Sequence, residues 1–233
     1  MKAEQQWVEL APIVAGGTAR LLVFLHGAGS TPDSFLPIAH SWQLKFPGAT
    51  AVLMQGLEPA AGHDGFDWFD GSGIASERCG RIERAATRLA ARLAAAQARC
   101  GIGAGRTVVI GFSQGATLAL QLARSHPDCA AIVVSYAGQL ARPIGPGEQV
   151  SATVHLIHGE LDSLVPAVHA LRAHRGLSAI GADVTLDIDE DGTHTVDRQM
   201  IILGTSRVMQ TVFRGRRRRS ARTPTAAASR RLH

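Results

Sequence analysis

The sequence predicts an α/β fold: a mostly parallel sheet with helices on both faces and an antiparallel hairpin at its N-terminal edge. Three observations carry that reading. Short β-branched or apolar runs alternate with helix-period segments along most of the 233 residues, the rhythm of strands buried between two helical layers. Two extended runs flank Gly16-Gly17 near the N-terminus, which is a hairpin signal. Finally, Gly111-Phe112-Ser113-Gln114-Gly115 stands between the run Thr107-Val108-Val109-Ile110 and a helix-like segment. That junction is strand, sharp turn, helix, with a serine at its apex.

Taken in order, Val8 to Val14 and Ala19 to Leu25 are the arms of the hairpin. Pro32 to Phe46 is helical in pattern, with Phe35, Ile38, Ala39 and Trp42 on one face. Ala51 to Met54 reads as a short buried strand, and residues 55–75, rich in Gly, Asp and aromatics, as a long functional loop. Ser76 to Gln97 is a strong helix whose apolar side carries Ile82, Ala86, Leu89 and Leu93. Arg81, Arg84, Arg88 and Arg92 follow the same spacing on another side, the pattern of a solvated face. The glycines of 101–105 precede a strand instead of following one, so they mark a turn and not a phosphate cradle. Next come the strand into Ser113, the helix Ala116 to Ala123, and strands Ala130 to Ser135 and Thr153 to Ile157. A helix Pro166 to Ile180, a strand Val184 to Ile188 and a last helix from about His194 to Phe213 complete the pattern. No internal repeat interrupts it, so residues 1–213 read as a single domain.

Composition bounds the rest. The formal charge is +5, but residues 214–233 hold eight arginines and no acid. Removing those eight from 24 basic residues leaves 16 against 19 acids, a net of −3 for residues 1–213. The tail, with almost no apolar content, reads as disordered. An arginine block can attach to nucleic acid or anionic lipid by counter-ion release. With no aromatics interleaved for stacking, a terminus without function is the simpler reading. No apolar run reaches the roughly 18–20 residues of a membrane span, so stable membrane insertion is not expected. The opening Met1-Lys2-Ala3-Glu4-Gln5-Gln6 lacks the apolar stretch of a signal peptide. Cys79, Cys100 and Cys129 are odd in number and show no C-x-x-C spacing, which suggests neither a disulfide framework nor a zinc site. The expected compartment is a reducing cytoplasm.

The serine at the turn is the candidate nucleophile, because a tight elbow needs glycine two residues before and after it and lifts the Ser113 hydroxyl off the sheet edge. A serine needs a base, and the base an orienting acid. On an elbow of this kind they follow the serine in the order acid, then histidine. Asp162 lies just past the strand ending in Ile157, and His194 in the loop after Val184 to Ile188. Both are at carboxyl ends of strands, where sites form in such sheets. Glu160 shares the Asp162 loop, and spacing alone does not separate the two. Asp189 and Asp191 are so near His194 in sequence that they read as solvated loop acids. His155 falls inside a strand and His169 and His174 on a helix, while His63 precedes the nucleophile. An oxyanion needs two donors. The N–H of Gln114, next after the serine, supplies one; the loop His26-Gly27-Ala28-Gly29-Ser30 supplies the other, with Ala28 the choice. His26 reads as a loop-fixing residue.

These four pieces together resemble the α/β-hydrolase superfamily, and within it the phospholipase/carboxylesterase family of acyl-protein thioesterases and small bacterial carboxylesterases. The resemblance covers about residues 8–213. It rests on Leu25-His26-Gly27-Ala28-Gly29, Trp68-Phe69-Asp70, Gly111 to Gly115, His158-Gly159-Glu160-Leu161-Asp162, Val165-Pro166 and His194. It implies a Ser113–Asp162–His194 triad, oxyanion amides at Ala28 and Gln114, and Trp68 and Phe69 on the acyl side of the pocket. It implies hydrolysis of small-molecule esters of short to medium acyl chain, with no metal or organic cofactor. Thioesters and lysophospholipids are the alternative substrates, and a ligand-binding protein without turnover is the rival on the same fold. Two features depart from the family pattern. Thr193 occupies the position before the histidine that is often glycine, where a β-branched residue is expected to shift the loop, and the arginine tail has no counterpart.

Overall fold

The structure, a computed structural model, describes residues 6–16, 19–62, 64–145 and 147–222. The chain runs through strands β1 (Trp7–Leu10) and β2 (Arg20–Leu25), then a 3₁₀ turn at Pro32–Phe35 that leads into helix α1 (Leu36–Lys45). Strand β3 (Ala49–Met54), the two short strands β4 (Glu58–Pro59) and β5 (Phe66–Asp67), and helix α2 (Ala75–Cys100) follow. Then come β6 (Thr107–Phe112), α3 (Gln114–Ser125), β7 (Ile132–Tyr136), β8 (Thr153–Gly159), α4 (Val168–Ala179), β9 (Val184–Asp189) and α5 (Arg198–Arg222).

Seven strands form one sheet in the order β1-β3-β2-β6-β7-β8-β9, parallel throughout except for β1. Alternation along the central strands divides the core. Leu21, Val23 and Leu25 of β2 face α2, α3 and α4 through Ile82, Leu89, Leu118 and Leu177. Leu22 and Phe24 face α1 and α5 through Ala39, Trp42, Met200 and Val208. This is the expected mostly parallel sheet with helices on both faces.

The expected hairpin does not form. β1 pairs antiparallel with β3, Trp7 opposite Met54 and Leu10 opposite Ala51, and β3 lies between β1 and β2. The reason is burial. Every residue of β2 after Arg20 is buried, so that strand needs a partner on each side, and the crossover through α1 seats β3 beside it. The half-exposed Trp-Val-Glu-Leu of β1 suits an edge. The connection after β1 is held by Gln43, whose side-chain amide donates to the carbonyls of Ala11 (2.9 Å) and Ala49 (3.0 Å). Gly17 lies outside the described residues.

Residues 55–75 are not plain loop. β4 and β5 pair antiparallel, and three of the four arginines of the α2 row clamp the segment, while Arg84 is exposed as expected. Arg81 donates to the carbonyl of Asp70 (2.8 Å) and Arg92 to that of Gln55 (2.8 Å), while Arg88 pairs with Glu58. His63 lies outside the described residues. The last helix also departs from expectation, continuing past Phe213 to Arg222. Arginine is a good helix former, so backbone hydrogen bonds carry the helix beyond its last apolar turn. Residues 223–233 lie outside the described residues. No helix among the described residues is long and apolar enough to cross a membrane.

His155 is a core histidine, fully buried between Thr185 Oγ1 (2.8 Å from Nδ1) and Thr211 Oγ1 (3.1 Å from Nε2). Burial pushes its imidazole down to about 4, Asp183 opposing and Arg207 and Arg214 adding to the fall. In the unfolded chain it titrates near 6.5, so between these values the unfolded state holds the extra proton. Its contribution to stability is therefore complete above pH 6.5 and lost as the pH falls toward 4, on the order of 3 kcal/mol at most. Urea unfolding at pH 7, 6, 5 and 4 should show a shallower acid loss for His155→Gln than for the wild type. Equal slopes would remove His155 from the acid response.

Candidate active site

The site begins where β6 ends. Ser113 takes φ 54° and ψ −112° between the strand and α3, a conformation that costs an L-residue on the order of 1–3 kcal/mol. Neighbours impose it: the Ser113 N–H donates to the Tyr136 carbonyl (2.9 Å), and its own carbonyl accepts from the Thr117 N–H (3.0 Å). The flanking glycines are required by contact. A Cβ on Gly111 would stand 2.5 Å from the Gly115 carbonyl oxygen and 2.6 Å from Ala116 Cα. One on Gly115 would collide with the carbonyls of Leu25 and His26. The elbow is thus pressed between its own helix and the end of β2.

From the apex, hydrogen bonds run through three side chains. His194 Nε2 is 3.0 Å from Ser113 Oγ, and His194 Nδ1 is 2.7 Å from Asp162 Oδ2. A carboxylate only accepts, so the hydrogen sits on Nδ1 and Nε2 is left to accept from the serine hydroxyl. Phe112 packs against the His194 ring, centroids 4.9 Å apart. The Asp162 side chain is shielded from solvent, and its Oδ1 accepts the N–H groups of Leu164 (2.9 Å) and Val165 (2.8 Å). Burial opposes its ionisation, but the His194 hydrogen bond and these backbone donors outweigh that and hold the carboxyl below its ordinary value. Glu160 is exposed and makes none of these bonds. Asp191 is exposed too, and the carbonyl of Asp189 serves the loops by accepting the Glu160 N–H.

Two loops carry the acid and the histidine, and their backbones are joined. The N–H of Glu160 donates to the Asp189 carbonyl (2.8 Å) and that of Leu161 to the Gly192 carbonyl (2.9 Å). Gly159 and Gly192 meet so closely that a Cβ on Gly159 would strike the Gly192 carbonyl. Thr193 is exposed, and His194 after it reaches Ser113. His158, quoted in the sequence motif but given no role there, lies beneath the acid loop. Its Nε2–H donates to the Val165 carbonyl (2.7 Å), and burial pushes its imidazole down.

Ala28 and Gln114, the two expected backbone donors, border one cavity of about 220 Å³ together with Ser113. Neither N–H meets a protein acceptor among the described residues. Gln114 opens α3, where first-turn N–H groups have no intrahelical acceptor. The loop bearing Ala28 is fixed by His26, which donates from Nδ1 to the Gly27 carbonyl (2.7 Å) and accepts the Gly56 N–H at Nε2 (3.1 Å). Burial lowers its basicity, in keeping with that neutral form.

Trp68 and Phe69 divide. Phe69 lines the cavity but Trp68 does not. Only 1% exposed, Trp68 tilts against His26 at 5.2 Å and donates from Nε1 to the His26 carbonyl (2.8 Å). It is a structural post for the loop and not a pocket wall, because the polar edge of the indole finds its acceptor inward. The Gln114 side chain, also unsuspected from sequence, joins this loop to the elbow. Its Oε1 accepts the Trp68 N–H (2.6 Å) and its Nε2 donates to the Phe69 carbonyl (2.8 Å). A glutamine beside a nucleophile, carrying both donor and acceptor, was the available signal. Among the described residues no group of three His, Cys, Asp or Glu side chains is placed to hold a metal ion.

Comparisons with known proteins bear on the family and the fold. A family model described as phospholipase/carboxylesterase matches residues 13–204. Esterase YpfH of Escherichia coli (strain K12) is 34% identical over 181 residues, 77% of this chain and 78% of that protein. The crystal structure of esterase PE8 superposes with a TM-score of 0.79 at 27% identity, covering 87% of this chain and 97% of that one. A carboxylesterase from Mesorhizobium loti shares the fold, with a TM-score of 0.71 at 22% identity over 84% of this chain and 91% of its own.

Removing the Gln114 side chain should release the Trp68–Phe69 segment. Gln114→Ala leaves a buried N–H and a buried carbonyl without partners, a cost of about 1–3 kcal/mol. Urea unfolding should show that loss and hydrogen exchange should show a faster Trp68 amide. An unchanged Trp68 amide would mean the bridge carries no weight.

Proposed function

The chain belongs to the phospholipase/carboxylesterase family of α/β-hydrolases, and on that premise we propose that it cleaves carboxylic esters of short to medium acyl chain through an acyl-enzyme on Ser113. The observation that supports this most is the unbroken hydrogen-bonded line from Ser113 Oγ through His194 to the buried Asp162. Each group has the state its role demands. His194 presents an unprotonated Nε2 to the serine hydroxyl, so attack on an acyl carbonyl can pass the proton directly to it. Asp162, held ionised, fixes the imidazole and stabilises the cation that forms.

The oxyanion then falls to the N–H groups of Gln114 and Ala28. Each such donor is typically worth about 10²–10³ in rate. The alcohol leaves with the proton from His194, and water attacks the acyl-enzyme by the same base. The Cys79, Cys100 and Cys129 thiols are free, and burial pushes each above its ordinary value. None is an activated rival to Ser113, and unpaired thiols fit the proposed reducing cytoplasm. A cavity of about 220 Å³ is below the roughly 300–1,000 Å³ of sites for drug-sized ligands, which favours short acyl groups.

A fluorophosphonate probe should label wild type at Ser113 and fail to label Ser113→Ala or His194→Ala. With p-nitrophenyl acetate through octanoate, kcat/KM should fall off toward the longer chains, and Asp162→Asn should lower kcat by about 10⁴. A folded wild type that neither takes the probe nor hydrolyses any of these esters would sink the proposal.

A further inference from the structure

The cavity at Ser113 shares a wall with a second recess of about 400 Å³ that reaches toward α4. Gln139, Leu140, Ala141 and Arg78 line both. Arg78, on the first turns of α2, therefore stands at the threshold between the space beside the nucleophile and the space beyond. The far side of the recess carries His169 and Arg172 of α4.

The charges of this recess are not balanced. Arg142, also on its wall, is satisfied: it is 2.6 Å from Glu148 Oε1 and 3.7 Å from Glu83 Oε1. Glu148 is held from its other side by Arg124 at 2.8 Å, so the acids nearest the recess are engaged. The guanidiniums of Arg78 and Arg172, by contrast, have no carboxylate and no hydrogen-bond partner among the described residues. Their fields meet at His169, whose imidazole is pushed down by burial first and then by Arg172 and Arg78. Arg81, Arg88 and Arg92 of α2 are engaged by the 55–75 segment, so they do not compete with Arg78 for a ligand in the recess. Two guanidiniums converging on a partly enclosed space repel each other, and an anion placed between them reverses the sign of that interaction. The planar fork of each suits a carboxylate or a phosphate.

We propose that this recess binds an anionic group, a carboxylate or phosphate, carried by the ester substrate away from its scissile carbonyl, with Arg78 and Arg172 as its ligands. This rests on the esterase reading and narrows it: the preferred substrate is an ester with a fixed negative charge on its acyl or its leaving portion. The cavity at Ser113 takes the reacting end, and the recess takes the charge.

The test compares kcat/KM for wild type, Arg78→Gln, Arg172→Gln and Arg175→Gln, the last an exposed arginine of α4 that lines neither space. Three substrates are used: neutral p-nitrophenyl butyrate, mono-p-nitrophenyl glutarate with its carboxylate on the acyl side, and 4-butyryloxybenzoate with its carboxylate on the leaving group. Arg78→Gln and Arg172→Gln should lose about 10- to 100-fold on an anionic ester, the range for a lost hydrogen bond to a charged group. They should lose far less on p-nitrophenyl butyrate, and Arg175→Gln should match wild type on all three. A loss confined to the glutarate assigns the recess to the acyl side; one confined to the benzoate assigns it to the leaving group. Variants that treat the three substrates alike would overturn the anion site while leaving the esterase intact. If wild type hydrolyses none of them, the esterase reading fails instead. Equilibrium dialysis of glutarate then decides the recess: binding that needs Arg78 keeps it, and no binding overturns it.

Discussion

Ser113 holds a backbone conformation that few L-residues adopt, and the strain persists because the sheet leaves the chain no easier route. Its N–H is taken by the Tyr136 carbonyl at the end of β7, and the Ala137 N–H in turn by the Ile157 carbonyl of β8. Ala137, with φ 51°, is the other non-glycine residue of positive φ among the described residues. Two adjacent strand ends are thus bent in the same sense and bonded one to the next. The glycines at 111 and 115 let the elbow, its helix and the end of β2 approach closer than any side chain would permit. A serine placed this way is preorganised by backbone contacts, so its position costs nothing further when substrate arrives.

The acid and the histidine inherit the same logic. β8 and β9 are hydrogen-bonded neighbours, with Gly159 opposite Asp189 at their carboxyl ends. The ladder continues into the loops through Glu160 N–H to the Asp189 carbonyl and Leu161 N–H to the Gly192 carbonyl. Asp162 and His194 are therefore held apart by backbone, and their side chains close a gap already set. His158 and Phe112 then remove what freedom remains, one beneath the acid loop and the other against the imidazole ring. That explains how a β-branched Thr193 is accommodated. The loop is anchored at Gly192, and residue 193 is exposed.

Much of this was legible in the sequence because it depends on local pattern. Elbow glycines, strand ends and chain order point to Ser113, to the loop of Glu160 and Asp162, and to His194 without any knowledge of tertiary contacts, and only the fold separates the two acids. What was not legible depends on distant partners. The Gly16-Gly17 turn signal says nothing about β3, which arrives later and takes the place beside β2. Trp68 reads as a pocket aromatic until the His26 carbonyl is seen to claim its indole N–H. The arginine row of α2 reads as a solvated face, since the carbonyls and the carboxylate that Arg81, Arg88 and Arg92 clamp belong to a segment 11 to 37 residues earlier. Helix periodicity locates such a side chain on a face; it cannot say what faces it.

The same contacts explain why the cavity needs no lid to keep its shape. The 55–75 segment is held on one side by Arg81, Arg88 and Arg92 and on the other by Gln114, while Trp68 and His26 lock it to the loop of Ala28. Asp67 adds a hydrogen bond to the Gly29 N–H (2.9 Å). One amide side chain, that of Gln114, couples the wall bearing Phe69 to the helix whose N-terminus borders the cavity at Ser113. A displacement of that wall must either break those two hydrogen bonds or drag α3 with it. Since α3 packs against the sheet through a nearly continuous buried face from Gly115 to Ala123, the second course would disturb the core. The wall of the cavity is consequently as rigid as the core behind it, and discrimination among substrates falls to the fixed shape and charge of the space and not to closure around the ligand.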